Sequence, residues 1–434
     1  MDSATQLGPP VTLTGPLPYV IKRFPKKGLG LVAKQRYGEG QCIYSEEVMV
    51  TTKTLETAKG SVDLYNKILH TSLKEVKDTD FKRKFFELPK GSKEKYGVLG
   101  AVFDRGAINV PLEAGDARAL GLRSAFLNHS CRPNAQHTLL TVNTPAGDSF
   151  IILLHACRDI EADEEITIAY DFIYANIANR QEYTLENFGF ECACELCENE
   201  DPAVEAGIEL LSMKVPIILM EKAFATEPAG TLQMTHTIID IHIKSGFISD
   251  PLGQMWKHCA MICAWHSDIG RAMVFLGKAK SIFLKIEGTE GPNFKLTSKL
   301  QEDPMKLEKA GTTKRGSSSI KDVPVILNNP DRRTEILFML DAKELGDYIK
   351  LSDYNEAGQF EGATDRDPNI DVDKLVKELE AEKKEFDESR MHENPSKAKK
   401  KSRKKKGKKG KRGGSGSGDG DMVEKEDVKG ELDN

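Results

Sequence analysis

No stretch of the 434-residue chain approaches the roughly 18 consecutive apolar residues that a bilayer-spanning helix needs, so no membrane contact is expected. Cysteine is sparse, eight residues in all, which excludes a disulfide-held secreted scaffold and makes a reducing compartment the default. The first residues, MDSATQLGPPVTLTGPLP, lack the basic-then-apolar layout of a secretory signal and read as a flexible arm over 1–18. Acidic residues are missing from 397–412, where twelve of sixteen residues are Lys or Arg. The whole chain carries −5, so setting those twelve charges aside leaves −17 on the rest. A basic block on an acidic body reads either as a solvated tail or as a segment that binds nucleic acid or directs import to the nucleus. No aromatic residue interleaves with the lysines, so base stacking is not indicated and any nucleic-acid contact would be to backbone phosphates.

What is present divides the chain. GLGLVAKQ, the turn YGEGQ and CIYSEEVMVTT read as strand, turn and strand. Over about 53–96, Leu64, Ile68, Leu69, Phe81, Phe85 and Phe86 recur at helical separations among Lys and Glu, which predicts a helical insertion. Residues 97–172 return to strand and loop, and EITIAYDF alternates over Ile166, Ile168 and Tyr170. From 203 to about 350 the pattern is helical, with SDIG marking a helix–turn–helix and Ala260, Ala264, Ala272 and Ala279 suited to close packing. This resembles one tetratricopeptide-like hairpin, although no repeat of about 34 residues recurs. GTTKRGSSSIK reads as a linker near 301–325, and RTEILFMLDAKELGDYIKL as one docked helix with Ile336, Leu337, Leu340, Leu345 and Ile349 on one face. Residues 351–434 are expected to be mostly disordered, DVDKLVKELEAEKKEFDESR being a charged helix too short to hold together alone.

The chemistry concentrates in FECACELC. Cys192, Cys194 and Cys197 at C-x-C-x-x-C spacing suit a soft tetrahedral ion, and zinc is the natural guest. Structural zinc takes four ligands, and the fourth could be Cys131, Cys157, Cys42 or a histidine. Cys131 stands out because it lies in the polar cluster NHSCRPN between apolar flanks. Cys259 and Cys263 beside His258 and His266 look like a second half-site, but among Met, Ile, Ala and Trp they read as core. Cys42 and Cys157 read as buried strand thiols.

LRSAFLNHSCRPNA, then EEITIAYDF, then FGFECACELC, with KKGLGLVAKQRYGEGQCIYSEE at the amino end, resembles the SET-domain lysine methyltransferases, closest to the SMYD-like branch and related fungal SET proteins. The matching blocks span about 20–200. The MYND finger usual in SMYD proteins has no counterpart, since 51–130 contains no Cys. The resemblance implies an α+β fold: a knotted β-clip of small sheets over 19–172, a zinc-binding post-SET segment over 173–200, and a C-terminal helical domain. It implies methyl transfer from S-adenosylmethionine to a neutral lysine amine of a histone or other protein, by a monomer working in the nucleus, the cytoplasm or both.

Residue by residue, the resemblance implies that Asn128 and His129 meet the methionine and adenine parts of the cofactor. Gly28 and Gly30 let the backbone approach it, flanked by Leu29 and by Lys27, which would reach its carboxylate. Tyr170 becomes the central catalytic residue. Phe190 would stack on adenine, and Phe188 would line the lysine channel in place of the Tyr some relatives carry. Cys131 completes the ligand set, so that one structural ion ties the cofactor loop to the post-SET. The alternative is a SET fold that has lost catalysis and serves as a protein-interaction scaffold. A nucleic-acid-binding protein driven by the lysine block is a third class.

Overall fold

The computed structural model describes residues 17–25, 27–51, 58, 60–112, 115–144, 147–170, 175–199, 201–212, 223–362 and 365–366. The amino-terminal half alternates short strands with a helical insertion. Strands β1 (Tyr19–Phe24), β2 (Gly28–Ala33), β3 (Cys42–Glu47) and β4 (Met49–Thr51) precede helices α1 (Val62–Glu75), α2 (Thr79–Lys84) and α3 (Lys93–Gly106). Strands β5 (Ile108–Leu112), β6 (Gly115–Leu120), β7 (Asn128–His129), β8 (Ala135–Thr144), β9 (Gly147–Ala156) and β10 (Glu165–Ile168) follow. They form three small sheets, ordered β1-β2-β10-β7, β3-β9-β8 and β4-β6-β5. β7 runs parallel to β10, with Thr167 opposite Asn128 and Ile168 opposite His129. That pairing brings two segments far apart in sequence side by side.

The apolar alternation behind these strands is used as expected: Leu31, Ile152, Leu154, Ile166 and Ile168 are buried in one shared core. The insertion builds its own core from Tyr65, Leu69, Phe81, Phe85, Val102 and Phe103. Its helices start on side-chain caps, with Ser61, Asp78 and Ser92 accepting from first-turn amides. Helix continues past 96, to Gly106, because Gly100, Ala101, Val102 and Phe103 pack into that core.

Beyond the strands come α4 (Ile177–Phe188), α5 (Glu195–Glu198), α6 (Pro202–Ser212), α7 (Pro228–Lys244), α8 (Asp250–Trp265), α9 (Ile269–Glu287), α10 (Pro292–Glu302), α11 (Val323–Leu327) and α12 (Arg333–Phe338). α8 and α9 form the hairpin read from SDIG. Ser267 turns at φ 62°, and the Asp268 carboxylate accepts from the Arg271 amide to start α9. Ala260, Ala264, Ala272 and Ala279 are fully buried where the helices meet. Cys259 and Cys263 lie in the same core, and burial pushes both thiols well above their usual range, so they are packing residues.

Four expectations need correction. The stretch around 301–325 is ordered. The amides of Gly311, Thr313, Gly316 and Ser318 donate to the carbonyls of Ala264, Trp265, His266 and Ser267, so a turn-rich composition here serves to pair the end of α8. The single helix expected from 333 stops at Phe338. Met339 adopts a left-handed conformation (φ 51°), and Asp347 Oδ2 then accepts from the amides of Lys343 and Glu344, leaving Leu340 and Leu345 exposed. Leu351 and Tyr354, expected to be disordered, are buried in the helical core. Of the two thiols read as buried strand residues, Cys42 is exposed at the start of β3 and Cys157 is buried. The charged helix from 371, the lysine block 397–412 and residues 1–16 lie outside the described residues.

One buried ion pair joins the later elements. Asp268 and Arg271 are both fully buried; Asp268 accepts from Arg271 Nη1 (2.5 Å), Tyr348 Oη (3.0 Å) and Ser318 Oγ (2.5 Å). Arg271 also donates to the carbonyls of Ile336 and Ile349, each at 2.8 Å. Removing one partner strands the other in the core, so Asp268→Ala is expected to cost about 3–5 kcal/mol of stability, read as a lowered urea midpoint.

Candidate active site and thiol cluster

Four sulfurs converge. The Sγ atoms of Cys131, Cys192, Cys194 and Cys197 all lie within 4.8 Å of one another, and none is in a disulfide. Cys131 Sγ is 3.8 Å from Cys192 Sγ and 3.7 Å from Cys197 Sγ. Ligands about 2.3 Å from a tetrahedral zinc sit roughly 3.8 Å apart, so the spacing fits that ion. Hydrogen bonds from the other three thiols and from the Cys131 amide hold Cys194 well below the usual thiol range, concentrating negative charge there. The segment that carries Cys192 is fixed by fully buried Thr184, whose hydroxyl accepts from the Cys192 amide at 3.2 Å. Arg180, 1% exposed, pairs through both guanidinium nitrogens with Glu205 (2.7 and 3.1 Å) and pins α4 to α6 behind the cluster.

His129 links the cluster to Tyr170. The Tyr170 amide donates to His129 Nδ1 at 3.1 Å, so that nitrogen is the acceptor and Nε2 carries the proton. Nε2 then donates to Cys131 Sγ at 3.3 Å. Tyr170 Oη donates to the carbonyl of Leu127 at 2.8 Å, which leaves its oxygen lone pairs available. Burial pushes this phenol up to about 12, so it stays neutral across any assay range.

A carboxylate that sequence reasoning missed organises the other side. Glu165, first residue of β10, accepts from Asn128 Nδ2 (2.8 Å) and from Lys27 Nζ (2.9 Å), with its side chain only 13% exposed. The strand alternation that buries Ile166 and Ile168 was legible, and it already turns Glu165 toward the opposite face. Arg105, at the end of α3, was also missed, and no motif marks it.

Two cavities of about 540 and 530 Å³ meet here. Arg105, Tyr170, Phe188, Gly189 and Phe190 line both. The first also takes in Lys27, Asn128, His129 and Cys192; the second runs past Tyr96, Asn109 and Tyr183 to the surface. The ring centroids of Phe188 and Phe190 stand 5.0 and 6.3 Å from that of Tyr170. The structure thus gathers Lys27, Asn128, His129, Tyr170, Phe188, Phe190 and the four cysteines. Gly28 and Gly30 shape the backbone nearby without lining either cavity, and Leu29 is 38% exposed and lines neither. Asp171 and Phe172 lie outside the described residues.

With this geometry in view, comparison with known proteins is informative. Residues 28–171 match the SET domain family model. The histone-lysine N-methyltransferase set5 of Schizosaccharomyces pombe is 28% identical over 289 residues, 66% of this chain and 84% of that protein. Histone-lysine N-methyltransferase ASHR2 of Arabidopsis thaliana is 30% identical over 111 residues, 25% of this chain and 27% of that one. Human histone-lysine N-methyltransferase SMYD3 is 36% identical over 77 residues, 18% of this chain and 16% of that one. The chain thus spans about a quarter or less of the latter two. Residues 28–171 thus carry a SET domain, and the chain is similar to histone-lysine N-methyltransferases of the SMYD and fungal SET kind.

Gly30 offers a direct check on the site. A Cβ there would lie 2.5 Å from Asn128 Nδ2, 2.8 Å from Glu165 Oε1 and 2.9 Å from Phe24, so Gly30→Ala is expected to displace the Asn128–Glu165 pair and cost about 1–3 kcal/mol. Gly28→Ala meets open space and pays only for its positive φ, about 1–2 kcal/mol. Thermal melts with and without added cofactor separate the two: only Gly30→Ala should lose the ligand-induced shift.

Proposed function

We propose that the first cavity holds S-adenosylmethionine, that the second admits a protein lysine, and that methyl passes between them beside Tyr170. The single observation that carries this reading is the shared wall: among the described residues, two cavities of similar size have Arg105, Tyr170 and the segment Phe188–Phe190 in common. A displacement at carbon needs donor and acceptor on opposite sides of one point, and positioning supplies most of the rate.

Lys27 was expected to meet the cofactor carboxylate, but its charge is matched by Glu165. Arg105 makes no ion pair or hydrogen bond among the described residues and lines the same cavity, so it is the cation offered to that carboxylate. Asn128 is aimed by Glu165 and presents its remaining carbonyl to the methionine end. Phe190 supplies the face for adenine stacking, and Phe188 narrows the lysine passage. The target ammonium sheds its proton as it enters that passage, because desolvation and the neighbouring sulfonium both disfavour its charge. Bound there, S-adenosylmethionine would supply the methyl to the amine and leave as the neutral thioether, and Tyr170 Oη would steady that methyl through C–H···O contacts.

The four thiols hold structural zinc in this reading, with no open position and no water to activate. Zinc ties the cofactor loop to the segment that carries Phe190. The parallel pairing of β7 with β10 supports the threaded crossing that the family resemblance implies around Asn128 and His129. The α8–α9 hairpin supports a tetratricopeptide-like reading of the helical region. The relatives named above carry histone lysine in their names, and a histone or another lysine-bearing protein is the substrate class we assign.

The test is transfer of tritiated methyl from the cofactor to core histones or lysate proteins by the purified full chain. Tyr170→Phe should lower turnover about tenfold, the equivalent of two C–H···O contacts at ~0.5–1 kcal/mol each, while cofactor affinity holds. No transfer by the parent, with cofactor bound, would favour the scaffold reading instead. Arg105→Ala should weaken cofactor binding in calorimetry and leave metal content unchanged. Elemental analysis should find about one zinc per chain, lost in Cys197→Ser.

A further inference from the structure

The insertion contains a broken helix whose break faces the second cavity. α3 includes Gly97 at φ 76°, ψ −172°, so its first turn is set at an angle to the rest. A break of this kind strands backbone donors and acceptors, which normally costs stability unless something meets them. Asn66, on α1, meets them. Its Nδ2 donates to the carbonyls of Tyr96 (2.7 Å) and Val62 (2.8 Å), and its Oδ1 accepts from the amides of Leu99 (2.8 Å) and Gly100 (3.4 Å). One side chain thus bridges the break, Nδ2 holding Tyr96 before it and Oδ1 the amides of Leu99 and Gly100 after it, while the bond to Val62 fixes the side chain on α1. The fit is tight: a Cβ on Gly97 would lie 2.3 Å from Asn66 Nδ2.

The displaced turn carries Lys95 and Tyr96, which line the second cavity, while the far end of α3 carries Asp104 and Gly106 on the same cavity and Arg105 at the shared wall. The far end is anchored independently. Ala101, Val102 and Phe103 are buried, and Asp104 is held by Arg118 (2.5 Å) and by Tyr65 Oη (3.0 Å). A change at the break therefore moves Lys95 and Tyr96 and leaves Arg105 in place.

We propose that Asn66 is a positioning residue for the protein substrate: by holding the Gly97 break it sets the Lys95–Tyr96 wall of the entrance through which the target lysine arrives. This rests on the second cavity being the substrate passage. It concerns substrate capture alone, since Asn66 touches neither cavity.

A double-mutant cycle tests it, with a randomised library of lysine-centred peptides as acceptor and tritiated cofactor as donor. Asn66→Ala and Gly97→Ala should each raise KM for peptide by roughly tenfold, with kcat and cofactor affinity within about twofold of the parent. The two act on one joint, so the double variant should be no worse than the worse single. Asn66→Asp, which keeps the acceptor and loses the donor, should fall between. Melting curves and zinc content identify any variant that merely misfolds, and Gly97→Ala gives an independent route to the same joint. Unchanged KM in both single variants, or a parallel loss of cofactor affinity, would overturn the assignment. Absence of transfer to any peptide by the cofactor-bound parent would instead remove the transferase reading, and this inference with it.

Discussion

Four thiols brought within 4.8 Å of one another are the constraint on which the rest of the site depends. Cys131 comes from the loop after β7 and the other three from the segment after α4, so the cluster is the joint between two stretches that share no strand pairing. As thiolates without an ion, such a group would concentrate negative charge in a buried pocket. Bound to a divalent ion, it becomes a cross-link whose binding energy is also folding energy. What it fixes is the position of Phe188 and Phe190, which line both cavities.

The cluster reaches Tyr170 by a second route. His129 accepts from the Tyr170 amide through one nitrogen and donates to Cys131 Sγ through the other. The Cys131 sulfur, the His129 imidazole and the backbone of Tyr170 are therefore joined by two successive hydrogen bonds. Such outer hydrogen bonds commonly tune both the metal and the group beyond it. On the opposite side Glu165 plays a matching part, joining Lys27 to Asn128 and requiring glycine at position 30. The first cavity is thus framed by two hydrogen-bonded supports, one built on sulfur and one on a carboxylate.

Much of this was legible in the chain itself, and the reasons differ by residue. C-x-C-x-x-C spacing is local chemistry, so Cys192, Cys194 and Cys197 were visible without a fold; choosing Cys131 over Cys42 or Cys157 needed the family pattern. The alternation of EITIAY placed Ile166 and Ile168 inward and Tyr170 at the strand's end. Glu165 escaped notice because its importance comes from Lys27 and Asn128, which tertiary structure alone brings to it. Arg105 escaped for the same reason. Composition misled where backbone bonding decides: GTTKRGSSSIK looked like a loose linker, yet its amides complete the end of α8. Periodicity misled at Leu340 and Leu345, which keep helical spacing although Met339 has already ended the helix.

The central claim is that the thiol cluster and the donor cavity form one unit. Calorimetric titration of S-adenosylmethionine into the full chain, before and after zinc is stripped by a chelator and then restored, examines it most directly. The account predicts saturable uptake by the metal-loaded protein, loss of uptake on stripping, and recovery when zinc returns. Undiminished uptake by folded, metal-free protein would contradict it.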